Sequence, residues 1–372
     1  MLVQTIFTNP KYVLKAIAKF GFWLMGGYIG VLFISPFIAA SLMQIVYIAS
    51  GSRPGGTPVP TMKEVPPLNE DRDKEEIIRR KLDPSRPLLK RIAQESISYT
   101  SGLTAILLQI AHPGVGKGVG RHSNFSTRLV ERTQNTGIFI NVMIFGTEAE
   151  KTAFRNFVTL AHQYVNDKRT TNKTNGNNNT YDALDPHLQL WVAATMYQTM
   201  ITKYESVFPP LSPSQHEQVY QEFSIFGTAL QLPLSLWPES RTAFQKYWNR
   251  ELAALRVPAE AVKVAQDIFH PRYSRLPKTL APILFFRRPM DMAMAIEELP
   301  EHVRRGFGLR STWWSRGRYR AVMGFHRLTY RLYPESVRTW QRDYYMWLMR
   351  RRFAGKGMTR NGRVVSLEAL QG

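Results

Sequence analysis

Thirty consecutive residues without a charged side chain, at positions 20–49, constrain this chain more than any other feature. They run FGFWLMGGYIGVLFISPFIAASLMQIVYIA, with Pro36 inside. Because ~20 apolar residues suffice to cross a bilayer, the run is long enough to span one. It is also too long for the apolar core of a signal peptide. The sequence therefore predicts a single-pass transmembrane helix within an N-terminal membrane anchor at residues 1–49.

The basic residues that flank this run indicate its orientation. Lys11, Lys15 and Lys19 precede it, whereas Arg53 and Lys63 are the first basic residues after it. Since the cytoplasmic flanks of membrane spans carry an excess of Lys and Arg, this bias favours a cytoplasmic N-terminus and a main domain on the non-cytoplasmic side. Residues 50–70 are rich in proline, glycine and polar residues, and they predict a linker.

Helical periodicity dominates the rest of the chain. Apolar residues recur at helical spacing, and period-two alternation is scarce. We expect helices at 88–111, 127–145, 147–165, 183–207, 213–230 and 239–254. The polar stretch at 166–180 predicts a loop with nothing to bury. These patterns predict an all-α fold, with a single large helical domain at 71–320 preceded by the N-terminal transmembrane helix.

The net charge of +21 predicts an anionic partner. From Glu301 to Arg363, sixteen Lys and Arg residues stand against three acidic residues, and tryptophan and tyrosine lie between them. This composition is typical of a segment at a bilayer interface, and also of a surface that binds single-stranded nucleic acid. Because residues 20–49 already predict a membrane, we expect the basic, aromatic C-terminal tail at 321–372 to lie on a lipid bilayer, and we expect no nucleic-acid partner.

The absence of cysteine excludes several chemistries. Disulfides, thiolate nucleophiles, iron–sulfur clusters and covalently attached c-type haem all require it. Two stretches resemble catalytic motifs only in part. HPGVGKGVG at 112–120 lacks the Ser/Thr of a phosphate-binding loop, and it predicts a tight backbone corner that another group approaches closely. HEQVY at 216–220 lacks the second histidine of a zinc-protease helix, and it predicts a helix start capped by Ser212 or Ser214.

Five segments carry a resemblance to a known family. They are LLQIAHPGVGKGVGRHSNF at 107–125, RTQNTGIFINVMIFGTEAE at 132–150, FVTLAHQYV at 157–165, YDALDPHLQLWVAATM at 181–196 and YESVFPPLSPSQHEQVYQEFSIFGTALQLP at 204–233. In this order and at these intervals they resemble the catalytic domain of MpaB-type oxygenases and rubber oxygenases (latex clearing proteins). The arginine-rich stretch that ends near residue 320 resembles the family more loosely.

The resemblance implies a haem-binding helical bundle that holds non-covalent haem b through one axial histidine, at the position of His162. It also implies an arginine and a threonine beside the haem, at Arg132 and Thr136. Rubber oxygenases carry a lysine directly before that threonine, where this chain has Asn135, so we do not expect a lysine to close the iron. The implied reaction uses dioxygen to cleave a carbon–carbon double bond of a lipophilic, isoprenoid-like substrate.

The residue types agree with these roles and leave other interpretations open. In a chain without cysteine, histidine is the natural axial ligand, and His162 shares a helix face with Val158 and Ala161. A lone helix histidine also commonly hydrogen-bonds to its surroundings. Arg132 and Thr136, four residues apart, share one helix face. The arginine either turns inward to an anionic partner or lies in solvent, and the threonine can bond its own backbone.

Two further histidines, His112 and His122, flank the glycine-rich stretch. They either line the haem pocket or hydrogen-bond to loop backbone. We therefore expect a membrane-anchored, haem b-dependent oxygenase in which Arg132 and Thr136 act on bound dioxygen. The alternatives are a non-catalytic, membrane-associated helical protein that binds lipid or acts as a scaffold, a nucleic-acid-binding protein, and a haem protein with peroxidatic chemistry.

Overall fold

Helices form most of the chain that the structure describes. This computed structural model describes residues 86–122, 125–163, 181–270, 281–353, 358–360 and 363–365, without the side chains at 121–131, at 281–287 and from 353 onward. The all-α prediction is confirmed, and a hairpin of two three-residue strands is added to it. The predicted anchor at 1–49, linker at 50–70 and loop at 166–180 lie outside the described residues. Within the described ranges, no helix is both long and apolar enough to cross a membrane.

The elements follow one another in a simple order along the chain. They are α1 (Pro87–Ala93), α2 (Ser96–Tyr99), α3 (Gly102–Ala111), α4 (Pro113–His122), α5 (Phe125–Phe145), α6 (Glu148–Gln163), α7 (Pro186–Glu205), α8 (Pro213–Glu222), α9 (Ile225–Thr228), α10 (Arg241–Ala254), α11 (Ala259–Phe269), α12 (Ala281–Glu298), α13 (Glu301–Gly306), α14 (Trp313–Thr329), α15 (Glu335–Arg338), α16 (Trp340–Phe353), β1 (Met358–Arg360) and β2 (Arg363–Val365). Short 3-10 helices occur at Leu234–Leu236 and Tyr330–Leu332. The two strands are antiparallel, with Thr359 opposite Val364.

The chain divides into two compact units. One unit comprises residues 1–57 and 334–340. Its described part is the short helix α15 with its flanks, where the Val337 amide donates to the Pro334 carbonyl at 3.0 Å. The other unit comprises residues 58–333 and 341–372, and it contains every residue that the sequence predicts for the site.

Helix α7 lies in the core of the larger unit, with buried side chains on nearly every side of the helix. Trp191 stacks on Trp248 of α10 with ring centroids 5.3 Å apart, and its indole Nε1 donates to the Leu108 carbonyl of α3 at 3.2 Å. Tyr197 meets the Phe244 ring edge-on at 4.9 Å. Since burying one large apolar side chain stabilises a fold by roughly 1.5–3 kcal/mol, these rings fix α3, α7 and α10 together.

The glycine-rich stretch begins with the predicted backbone corner and then forms a helix, α4, which the sequence did not predict. The chain turns at His112, where ψ is 126°. Pro113 then starts the helix, where the missing N–H of proline costs nothing. The expected close approach is confirmed, because a Cβ on Gly116 would lie 2.3 Å from the Ile110 carbonyl oxygen and 2.7 Å from Pro258. The absence of side chains therefore lets α11 pack directly on the backbone of α4.

The single helix predicted at 88–111 is divided into α1, α2 and α3. The backbone at Glu95 is extended, with ψ 122°. The Ser98 hydroxyl donates to the Ile92 carbonyl at 3.0 Å, and the Ser101 hydroxyl donates to the Ser98 carbonyl at 2.6 Å. Serine hydroxyls compete in this way with the helical hydrogen-bond ladder, which explains why the apolar pattern overestimated the length of the helix.

Helix α8 begins where the sequence predicts. Ser212 accepts a hydrogen bond from the Gln215 amide at 3.2 Å, and the Gln215 side chain accepts one from the Ser212 amide at 3.0 Å. This capping box confirms Ser212 as the helix cap. The predicted helix at 213–230 is interrupted at Phe223 and Ser224, so that α9 is a separate single turn.

Candidate active site

Helices α5 and α6 form an antiparallel hairpin that carries the candidate site. Two residues join them, and α6 begins with a reciprocal cap. The Thr147 hydroxyl accepts from the Glu150 amide at 3.2 Å, and the Glu150 carboxylate accepts from the Thr147 amide at 2.9 Å. Arg132 lies thirteen residues before the end of α5, and His162 lies fourteen residues after the start of α6. At a rise of about 1.5 Å per residue, both lie ~20 Å from the turn. The hairpin therefore brings Arg132 and His162 to the same level.

His162 is held as a neutral imidazole. Its Nδ1 atom is buried and has no hydrogen-bond partner among the described residues. Burial of the ring, and secondly the positive charge of Arg132, lower the pKa of His162 from 6.5 to about 4. The residue as a whole is half-buried, so part of it remains accessible. Because a neutral imidazole keeps a lone pair, His162 can bind a metal ion at neutral pH.

A single histidine such as His162 suits a haem iron better than a metal ion that protein side chains alone would bind. Among the described residues, no three His, Asp or Glu side chains are grouped closely enough to bind a metal ion by themselves. A haem iron takes four ligands from the porphyrin and needs one axial side chain from the protein. A buried ring nitrogen without a partner costs ~1–3 kcal/mol, and a bound group that supplies partners for the ring would remove this cost. His162 therefore fits the axial-ligand role.

Arg132 and Thr136 lie on an accessible face of α5. Both side chains are exposed, and the four-residue spacing places Thr136 one helical turn nearer to the α5–α6 turn. Arg132 is close enough to His162 for its charge to lower the pKa of the imidazole. The Arg132 guanidinium thus lies near the His162 ring, and the Thr136 hydroxyl lies one turn further along the same face of α5. Both can donate hydrogen bonds to an oxygen-bearing group placed there.

The other two histidines occupy different surroundings. His112 lies between α3 and α4, where its Nδ1 accepts a hydrogen bond from the Gly114 amide at 3.2 Å. Its ring packs against Trp191 of α7 with centroids 6.2 Å apart, and burial lowers its pKa. His112 thus bonds to backbone, as the second of its two interpretations expects. His122 is the last residue of α4, and its side chain lies outside the described residues.

A partner of α5 that the sequence did not reveal is the C-terminal helix α16. The Arg352 guanidinium donates to the Asn135 side-chain oxygen at 2.7 Å and to the Gln134 side-chain oxygen at 2.6 Å. The Gln134 amide in turn donates to the Tyr344 hydroxyl at 3.0 Å. The asparagine that replaces the lysine of rubber oxygenases is therefore engaged by an arginine more than two hundred residues away in sequence.

Gly137 was the one local signal for this contact. A Cβ at this position would lie 2.2 Å from the ring of Tyr345, so α16 rests directly on the backbone of α5. An isolated glycine inside a helix often has such a packing reason. The stretch of α5 from Arg132 to Gly137 therefore carries Arg132 and Thr136 on its accessible side and the α16 contacts at Asn135 and Gly137.

Comparison with known families identifies the domain that contains this hairpin. The family model described as "ER-bound oxygenase mpaB/B'/Rubber oxygenase, catalytic domain" matches residues 89–329. The matched range contains the α5–α6 hairpin and all the residues that the sequence predicts for the site, which are His112, His122, Arg132, Thr136 and His162.

Two mycobacterial proteins are similar to the chain. It is 30% identical over 249 residues to Uncharacterized protein Mb2261 of Mycobacterium bovis and, equally, to Uncharacterized protein Rv2237 of Mycobacterium tuberculosis. Each alignment covers 66% of this chain and 93% of the relative. No solved structure matches. Because the family model covers more than half of the sequence, the chain belongs to the MpaB/rubber oxygenase catalytic-domain family.

Proposed function

We propose that this chain is a membrane-anchored, haem b-dependent oxygenase that cleaves a carbon–carbon double bond in a lipophilic substrate of isoprenoid type. The observation that carries the proposal is the state of His162. Its ring is neutral, one of its nitrogens is buried without a described partner, and it stands beside Arg132 in an oxygenase domain.

Each of the three site residues has a distinct task in this proposal. His162 would hold the iron of the haem, which when bound supplies the activation of dioxygen. Arg132 places a permanent positive charge at the same level of the hairpin, where it would pair with a carboxylate of the porphyrin or with a developing negative charge. Thr136, one turn along α5, would orient an oxygen-bearing group through its hydroxyl. Asn135, which accepts a hydrogen bond from Arg352, has no task in this proposal.

The proposal of a lipophilic substrate rests on the sequence outside the described residues. The uncharged run at 20–49 would hold the domain at a bilayer, in which a long apolar substrate dissolves. The flanking lysines favour placement of the domain on the non-cytoplasmic side. Dioxygen, the substrate and the bilayer are then the expected partners, and no nucleic acid is among them.

An absorption spectrum of the full-length chain, produced with haem supplied, tests the proposal. We expect a Soret band that shifts on addition of dithionite and carbon monoxide, because this chain has Asn135 where rubber oxygenases carry a lysine. His162→Ala should abolish the band. His187→Ala, which removes an exposed histidine of α7, is the matched control and should keep it. His112→Ala should also keep it, since His112 already bonds to the Gly114 amide. A colourless wild-type chain, or an unchanged band in His162→Ala, would overturn the proposal.

A further inference from the structure

The large apolar side chains that are exposed in the described part of the chain lie in one segment. Trp313 is 65% exposed, Trp314 59%, Leu328 79% and Leu332 80%. All four belong to α14 and the 3-10 turn that follows it. Single exposed apolar residues are ordinary, whereas a cluster of them marks an interaction surface.

Helix α14 presents an apolar stripe to the outside. At ~100° per residue, one line along the helix is formed by Trp313, Gly317, Ala321, Gly324 and Leu328. The two glycines have open space where a Cβ would stand. The opposite side is buried through Val322, Met323 and His326. Between its first and last side chains the stripe is ~22 Å long, and no described residue covers it.

Arginines border the stripe on both sides. Arg316, Arg320 and Arg327 follow one edge and Arg318 follows the other, and all four are exposed. None of them forms an ion pair with a described residue. The sequence has no acidic residue between Glu301 and Glu335, so the positive charge of this surface is not compensated along the segment.

A cavity of about 800 Å³ opens at the first turn of α14. Its lining includes Arg304, Arg305, Arg310 and Arg316, and its one acidic residue, Glu301, is paired with Arg305. Guanidinium groups bind phosphate oxygens through paired hydrogen bonds. The cavity therefore offers an excess of donors for a phosphate-bearing group next to the two exposed tryptophans.

We propose that α14 and the turn at Tyr330–Leu332 form a docking surface for a bilayer that contains anionic lipids. Trp313 and Trp314 lie at the depth of the headgroups, Leu328 and Leu332 enter the acyl boundary, and the arginines bind lipid phosphates. An identical copy of the chain fits less well, because arginines would face arginines. Helix α16 is less suited, since its Arg350 pairs with Glu150 at 2.9 Å and its aromatic rings are half-buried. This surface is independent of haem.

Fluorescence quenching by brominated lipids tests the docking surface in the full-length chain. The chain is placed in vesicles of phosphatidylcholine, with or without phosphatidylglycerol. The contribution of Trp313 and Trp314 is the difference between the wild type and Trp313→Phe/Trp314→Phe, whose rings stay apolar. We expect the fluorescence of these two tryptophans to be quenched in the anionic vesicles. We expect the quenching to weaken as salt is raised.

Two triple variants that remove the same number of charges distinguish docking through this surface from a general effect of the positive net charge. Arg316→Gln/Arg320→Gln/Arg327→Gln should lower the equilibrium constant for docking about 100-fold, because each basic residue near an anionic surface contributes about a factor of five. Lys246→Gln/Arg250→Gln/Lys263→Gln removes the same charge from exposed positions of α10 and α11, and it should leave docking unchanged. Equal quenching in both triple variants would overturn the proposal. A lipid-free dimer that is lost in Trp313→Phe/Trp314→Phe would also overturn it and would assign the stripe to a second copy.

Discussion

At the scale of the residue, the burial of the His162 imidazole determines whether the α5–α6 hairpin can bind a metal ion. A histidine in water is partly protonated near neutral pH, and a protonated ring has no lone pair for a metal. Burial of His162 and the charge of Arg132 both disfavour the proton. The ring is therefore kept neutral, with its Nδ1 atom buried and without a described partner.

This burial predicts a dependence of stability on pH in the cofactor-free protein. The unfolded chain takes up a proton on His162 near pH 6.5, whereas the folded chain does so only near pH 4. The free energy of unfolding should therefore fall as the pH is lowered through this window, by about 2–3 kcal/mol from this residue. Urea unfolding followed by circular dichroism between these pH values measures the slope.

His162→Gln isolates the contribution of this residue from that of the carboxylates. The variant should lose less stability on acidification than the wild type, because the glutamine takes up no proton in either state. His187→Gln, at an exposed position of α7, serves as the control. Equal slopes for the wild type and His162→Gln would show that the ring is not held neutral.

At the scale of the element, the packing of α4 predicts that one methyl group added at Gly116 lowers the free energy of unfolding. A Cβ at Gly116 would lie 2.3 Å from the Ile110 carbonyl oxygen and 2.7 Å from Pro258. Because one of these neighbours is backbone, the contact cannot be relieved by a side-chain rotation. Gly116→Ala should therefore lower the free energy of unfolding by about 2 kcal/mol, after the gain in helix propensity is subtracted.

Gly102→Ala is the control for this substitution. Gly102 is also a helical glycine, and a Cβ there would meet nothing within 4 Å. We expect its free energy of unfolding, measured in urea, to stay within ~1 kcal/mol of the wild type or to rise. If Gly116→Ala were as stable as Gly102→Ala, α11 could not pack on α4 as closely as the structure describes.

Local patterns predicted the type of the elements better than their contacts. The helical period is a property of neighbouring residues, so α5, α6, α7 and α10 begin within three residues of their predicted positions. The breaks between α1 and α3 depend on which backbone carbonyl each serine hydroxyl reaches, which periodicity does not encode. The site roles of Arg132, Thr136 and His162 came from the resemblance and stay predictions. The packing of α16 on α5 had one local signal, Gly137, whereas the pairing of Arg352 with Asn135 could not be predicted because it joins distant parts of the sequence.

At the scale of the molecule, one buried ion pair links four helices of the larger unit. Lys203 of α7 pairs with Glu298 of α12, and their side chains are 3% and 15% exposed. The Thr104 hydroxyl of α3 donates to the same carboxylate at 2.8 Å, and the Lys203 ammonium also lies 3.9 Å from the sulfur of Met323 in α14. The helix that we propose to dock on lipid is therefore tied to the core that carries α7.

This pair predicts a strong non-additivity between two substitutions. Lys203→Met leaves the Glu298 carboxylate buried without its cation, and it should lower the free energy of unfolding by about 3–5 kcal/mol. Glu298→Leu should cost a similar amount for the converse reason. The double variant removes both charges and replaces them with apolar side chains, so it should recover most of the loss. Urea unfolding of all four proteins completes the cycle. If the two losses simply added, the pair would not act as a unit, and α14 would be held to the core by its apolar face alone.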